Sequence, residues 1–327
     1  MTLGIEVGAL AAGVARADRT AVAQALNLVE DSRAEVRGDV VALLAALAPV
    51  AAARFHHRVG LTGPPGVGKS TLTAALAREW RNRGKTVGIL AVDPSSKRTG
   101  GAMLGDRARM GFEGGDSGVF VRSLASKGQT GGLTVTAHGA IRVLEAAYDV
   151  VIVETTGVGQ TETEVEHAVD TVVLVVQPGA GDTLQFIKAG ILEIPDIIVV
   201  NKADEAKLAE RAVSDVTHAL HAERQARRGM AELAVLATSA TLGTGVGALV
   251  DALMAHGAHG TNDERAARRL RGDVAWVLHE LLRRHGDHGV TTLGGEQSLR
   301  TRITALLTDG AVPLAAVETL SAEYVAG

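Results

Sequence analysis

Seven short runs of mostly apolar, often β-branched residues recur between positions 58 and 238, separated by stretches with helical spacing. They are RVGLT (58–62), TVGILAV (86–92), GVFVR (118–122), VVIVE (150–154), TVVLVV (171–176), DIIVV (196–200) and LAVLAT (233–238). A strand that is apolar at nearly every position, rather than at alternate ones, must be buried on both faces. Such runs alternating with helices predict an α/β fold with a mostly parallel sheet flanked by helices. Ligands in these folds sit outside the carboxyl ends of the strands.

The flanks read differently. Residues 1 to about 57 predict a helical region, with Val22, Leu26 and Val29 at helical spacing. SRAE at 32–35 predicts a capping box in which Ser32 and Glu35 satisfy each other's backbone N–H. Beyond about 262, DERAARRLRGDVAWVLHELLRRHG predicts a long amphipathic helix with Leu270, Val274, Val277, Leu278 and Leu281 on its apolar face. A glycine-containing break at 286–295 and two shorter helices follow. The pattern thus divides the chain into an N-terminal helical region (1–57), a central α/β domain (58–257) and a C-terminal helical extension (258–327).

Composition narrows the classes. Of 327 residues, 46% are hydrophobic and 21% charged, which suits a full core and excludes a disordered chain. Aromatics are only 2%, so a module that stacks nucleic-acid bases is not expected. The net charge of −4 and the lack of a basic stripe argue the same way. Without cysteine there can be no disulfide or thiolate metal site. The longest apolar run, at 40–53, is too short for a membrane span, and the N-terminus has no basic segment ahead of its apolar part. A cytoplasmic location is expected. The eleven histidines are scattered rather than clustered as metal ligands.

Chemistry concentrates at the strand ends. GPPGVGKS (63–70) fits G-x-x-x-x-G-K-[ST] between a predicted strand and a predicted helix. The backbone of Gly63, Pro64, Pro65, Gly66, Val67 and Gly68 would wrap phosphate oxygens, and the helix N-terminus through Thr71 adds positive potential. Lys69 would reach the β- and γ-phosphates, and Ser70 would ligate Mg²⁺. Position 64 is Pro, which argues against the dimerising ATPases that carry an extra lysine there. NKAD (201–204) follows the sixth run: Asp204 could accept from guanine N1 and the exocyclic amine, a donor pair that adenine lacks. Asn201 could hold the base edge and the loop, and the Lys202 stem could lie over the base. TSA (238–240), containing Ser239, would offer the Ala240 N–H to guanine O6. GTP and GDP are therefore expected over ATP.

Two further runs end in acids, Asp93 and Glu154, each placed to hold Mg²⁺ directly or through water. After Glu154, Gly157 could approach the γ-phosphate with its N–H. Gln160 is a candidate to orient the attacking water, and an N-cap for the following helix is the alternative. Residues 97–110 form a Gly-rich, charged segment suited to a loop over the γ-phosphate, with Arg98, Arg107 and Arg109 in it.

Taken together, GPPGVGKST, VDPSS, TGGAMLGDRARM, VIVETTGVGQTETEV, QPGAGDTLQFIKAGILEI and VNKAD resemble the MeaB/ArgK-type GTPases, the methylmalonyl-CoA mutase-associated G-protein chaperones. The resemblance is dense from about 58 to 204. It implies a P-loop G-domain and a Mg²⁺-dependent GTPase that guards an adenosylcobalamin-dependent acyl-CoA mutase. It also implies cofactor delivery from an adenosyltransferase, and a homodimer to which the C-terminal helices contribute. By resemblance Asp106 joins Lys69, Ser70, Asp93 and Glu154 at the phosphate and metal, and Asp182, Gln185 and Lys188 would relay nucleotide state to the mutase. The sequence departs from the family at Thr156 and Thr161 and in the segments 111–120 and 125–133, which bears on the identity of the mutase. Two alternatives stay open: a P-loop kinase that passes the γ-phosphate to an acceptor, and a metallochaperone GTPase, which usually needs a Cys/His cluster.

Overall fold

The computed structural model describes residues 6–54, 56–93, 116–125, 135–155, 161–179, 195–226 and 233–326. The chain divides into two compact units. One holds residues 57–132 and 149–259, and the other 1–56, 133–148 and 260–327.

All seven predicted strands form in the first unit: β1 (His57–Thr62), β2 (Val87–Asp93), β3 (Val119–Ala125), β4 (Val150–Thr155), β5 (Thr171–Val176), β6 (Ile197–Val200) and β7 (Ala234–Ala237). They make one sheet in the order β3-β2-β4-β1-β5-β6-β7, with every pairing parallel. The flanking helices are α4 (Lys69–Asn82), α6 (Thr161–Ala168), α7 (Ala206–Ala226) and α8 (Val246–Ala258). One sheet face, carrying Val59, Leu61, Ile152 and Val173, packs in a single core with Leu72, Leu76 and Trp80 of α4 and Leu249 and Leu253 of α8. The opposite face carries Leu174, Val176, Ile198 and Val200 against Val216 and Leu220 of α7. Burial on both faces is why these strands read as unbroken apolar runs. On that second face Gly60 leaves room for α6: a Cβ there would lie 2.4 Å from Val165.

The second unit is helical, with α1 (Val7–Ala15), α2 (Arg19–Glu30), α3 (Arg37–Ala52), α5 (Val135–Ala147), α9 (Asn262–Thr292), α10 (Gly295–Thr308) and α11 (Pro313–Ala326). Val22, Leu26 and Val29 are buried on α2 as their spacing predicts. Val274, Val277 and Leu281 of α9 pack with Leu299 and Ile303 of α10 and Val317 and Leu320 of α11. Trp276 adds a ring stack on His138 of α5, centroids 4.0 Å apart.

One local expectation is corrected here and one is refined. The Ser32–Glu35 capping box does not form: residues 34–36 make a 3-10 turn with no side-chain cap. Asp31 instead accepts from the Arg33 backbone N–H at 3.0 Å and from its guanidinium, a closer pairing that fixes the chain one step earlier. The break expected over 286–295 is present at both ends of that span: Gly286 takes φ 65°, ψ −175°, a non-helical kink between two helical stretches, and after Thr292 the chain breaks again through Leu293 and Gly294 (φ 103°) before α10. The capping box that is present belongs to Thr261 and Glu264, which start α9. Among the described residues no helix is long and apolar enough to cross a membrane, and no group of three or more His, Asp or Glu could hold a metal ion.

Candidate nucleotide site

β1 lies between β4 and β5, where strand order reverses direction, so a crevice opens beyond its carboxyl end. The chain leaves β1 through Gly63, Gly66 and Gly68, with φ of 138°, 82° and 92°, values that glycine alone adopts readily. At Gly63 a side chain is also excluded by space, since a Cβ would lie 2.1 Å from the Val175 carbonyl of β5. The turn ends where Lys69 opens α4. The Lys69 ammonium donates to the carbonyls of Gly63 (2.8 Å) and Pro64 (2.9 Å), spanning the loop it follows. Pro65, Gly66 and Thr71 are exposed, and Val67 is buried.

Glu154 is delivered by β4, in register with Leu61 of β1. Its carboxylate is 8% exposed and bridges two hydroxyls of α4. The Ser70 Oγ donates to Oε1 at 2.5 Å, and the Thr73 Oγ1 donates to Oε2 at 3.0 Å. The second acid, Asp93, ends β2, the strand beside β4, with its backbone paired to Ala125. The hydroxyl-and-carboxylate pair of Ser70 and Glu154 is a hard-oxygen donor set of the kind Mg²⁺ takes alongside phosphate.

Beyond β6, Asn201 is 1% exposed and works as a tie. Its Nδ2 donates to the Val67 carbonyl at 2.9 Å. Its Oδ1 accepts from the Thr238 hydroxyl at 3.1 Å and from the Ala240 N–H at 3.3 Å. The N–H that the sequence offered to guanine O6 is thus engaged by Asn201, and the phosphate loop, the 201–204 turn and the 238–240 turn form one bonded block. Lys202 holds φ 61° and donates to Gln177 Oε1 at 2.8 Å. Asp204 is exposed and accepts from the Ser239 hydroxyl.

The structure therefore gathers Lys69, Ser70 and Glu154 at one end, and Asn201, Lys202, Asp204, Ser239 and Ala240 at the other. Asp106, Gly157, Gln160, Asp182, Gln185 and Lys188, with Arg98, Arg107 and Arg109, lie outside the described residues. Sequence reasoning missed Thr73 and Gln177, and gave Thr238 only as part of TSA. Only Thr73 carried a local signal, being three residues after Ser70 and so on the same helix face.

The family described as methylmalonyl Co-A mutase-associated GTPase MeaB matches residues 22–287. The chain belongs to that family. A Caulobacter vibrioides relative is 36% identical over 319 residues, 97% of each chain. A Pyrococcus horikoshii relative is 47% identical over 204 residues, 62% of this chain, and the chain spans 61% of that relative's length. The crystal structure of an LAO/AO transport system kinase superposes over the whole of both chains with a TM-score of 0.64 at 26% identity. Membership in this family of GTPases accords with the P-loop fold and with the guanine-type NKAD turn.

Proposed function

We propose that this MeaB family member is a Mg²⁺-dependent GTPase and the G-protein chaperone of an adenosylcobalamin-dependent acyl-CoA mutase. In this role it gates cofactor loading and protects or reactivates the mutase. The observation that carries the reading is the Ser70–Glu154 pair at 2.5 Å beside the glycine loop, in a chain whose family is described by its mutase association. The P-loop N–H groups and the Lys69 ammonium would hold the phosphates, and catalysis is then positioning and charge stabilisation. Ser70 and Glu154 would hold Mg²⁺, with Asp93 and Asp106 as further carboxylates; the ion, when bound, neutralises charge on the phosphate oxygens. Asp204, braced by Ser239, would select guanine.

Gln160 would orient water. Asp182, Gln185 and Lys188 would pass the nucleotide state to the mutase as loops ordered by the γ-phosphate relax after hydrolysis. An adenosyltransferase is the expected source of cofactor, and a homodimer using region 258–327 the expected assembly. Intrinsic turnover should be slow and should rise on the mutase.

The test is GTP hydrolysis with and without a panel of purified B12-dependent acyl-CoA mutases, with ATP as control. A GTP-only rate that one mutase accelerates supports the proposal and names the partner. The likeness to a structure titled a kinase favours one rival, γ-phosphate transfer to an acceptor. Labelled phosphate appearing on an acceptor instead of in solution, at a rate indifferent to every mutase, would put that rival first.

A further inference from the structure

Several threonines inside the helices of this protein share one habit. Thr217, Thr291, Thr301, Thr304 and Thr308 each donate their hydroxyl to the carbonyl four residues back, at 2.7–3.1 Å. That back-bond is a common local bond for a threonine inside a helix. Thr73 departs from it. It is fully buried in α4, yet its hydroxyl reaches across to Glu154 Oε2 at 3.0 Å.

The geometry divides the carboxylate into two ends. Oε1 faces the Ser70 hydroxyl at the mouth of the phosphate loop, and Oε2 is held from below by Thr73. Ser70 and Thr73 lie three residues apart on one face of α4, so the helix presents both hydroxyls to one acid on the neighbouring strand. A carboxylate anchored at Oε2 by a buried hydroxyl loses the freedom to swing about its side-chain torsions even when the Ser70 hydroxyl at Oε1 turns to an ion. The other oxygen is then presented at a fixed place, which is what an ion with strict geometry requires of its surroundings.

We infer that Thr73 is a positioning residue for divalent-metal binding: it fixes the Glu154 carboxylate so that its Oε1 end, with Ser70, meets the Mg²⁺ of a bound guanine nucleotide. This rests on the proposed nucleotide function. In this assignment Thr73 would touch neither metal nor phosphate and would act through Glu154. Partners that orient a metal-site carboxylate typically change metal affinity about 10- to 100-fold when removed. A threonine that merely filled the core would be replaced by valine, its near isostere, with no change in metal affinity.

The experiment uses the full chain as native protein, T73V and T73S, with melting curves to show that each folds. Mn²⁺ serves as the paramagnetic probe, titrated into the GDP complex and followed by electron paramagnetic resonance. A fluorescent GDP analogue is titrated in parallel in EDTA. The expected result is weaker Mn²⁺ binding in T73V by about 10- to 100-fold, nucleotide affinity in EDTA unchanged, and recovery in T73S. Native-like Mn²⁺ binding in T73V, or an equal loss of nucleotide affinity in EDTA, overturns the inference while leaving the nucleotide function standing. A native protein that binds no guanine nucleotide removes both.

Discussion

The Asn201 amide donates to the Val67 carbonyl across 134 residues of sequence, at 2.9 Å, and so joins the turn expected to read the base to the loop expected to hold the phosphates. Its oxygen is engaged as well, by Thr238 and by the Ala240 N–H. Asn201→Ala should therefore act first on the fold. Each buried group left without its partner costs about 1–3 kcal/mol. Urea unfolding without nucleotide should show the loss directly; a variant as stable as the native protein, weakened only in GTP binding, would show that Asn201 serves the base alone.

Gly63→Ala should be more damaging than its size suggests. The backbone sits at φ 138°, and the added methyl carbon would meet the Val175 carbonyl at 2.1 Å. The strained backbone alone costs about 1–3 kcal/mol, and relief requires β1 and β5 to shift. Expected are a lowered melting temperature and loss of nucleotide binding by calorimetry. Gly66→Ala, where no atom lies within 4 Å of the added carbon, serves as the strain-only control.

Asp204→Asn should erode the choice of base. A charged acceptor for the two guanine donors contributes roughly 1.5–3 kcal/mol, so GTP affinity should fall about tenfold to hundredfold while ATP affinity stays level. Competition between the two nucleotides on the native protein and on the variant reads the difference. Equal loss for both nucleotides would mean that Asp204 supports the turn through Ser239 instead.

Tyr148 gives a pH prediction in the helical unit. Burial pushes its hydroxyl up to about 12, against a smaller opposing pull from Arg19. Because the folded value lies above the unfolded one of about 10, the neutral form favours folding below pH 10, and that stability is lost as pH rises toward 12. The slope over that window should be about 1.4 kcal/mol per pH unit. Tyrosinate absorbance should show a late step that Tyr148→Phe removes, and the variant should lose less stability between pH 10 and 12.

What the sequence made legible was what local pattern encodes. The interior strands were visible because burial on both faces leaves no polar alternation, the edge strand β7, exposed or half-buried along its length, from its apolar run alone, and the phosphate loop because its glycines are forced by positive φ. The ties that make the site were legible only in part: Asn201 was expected to hold the loop, but not which carbonyl it would reach, and Thr73 was not expected to reach Glu154. Thr73 to Glu154 spans 81 residues and Asn201 to Val67 spans 134, and no spacing rule predicts which side chain a distant strand will deliver. Thr73 reads as an ordinary core-facing threonine until its partner is placed. The misread at Ser32–Glu35 has a local counterpart: Asp31, one residue earlier, takes the Arg33 backbone N–H and guanidinium, and the 3-10 turn starts from Arg33 instead of Ser32. The break over 286–295 was legible from its glycines, but not that a short helical stretch lies between Gly286 and Gly294.

The helical unit is assembled from three separated stretches, 1–56, 133–148 and 260–327. On a ribosome the first of these emerges long before the last. Residues 1–56 must then wait, with their apolar faces incomplete, while two hundred residues of sheet and helix are made. The sheet-bearing unit has all of its strands by Ala237 and can close first. Synthesis order therefore sets an order of maturation. The unit that carries the phosphate loop is finished while the one built around both ends of the chain is still open, and the nascent N-terminal helices are the segment most in need of protection from association in the interval.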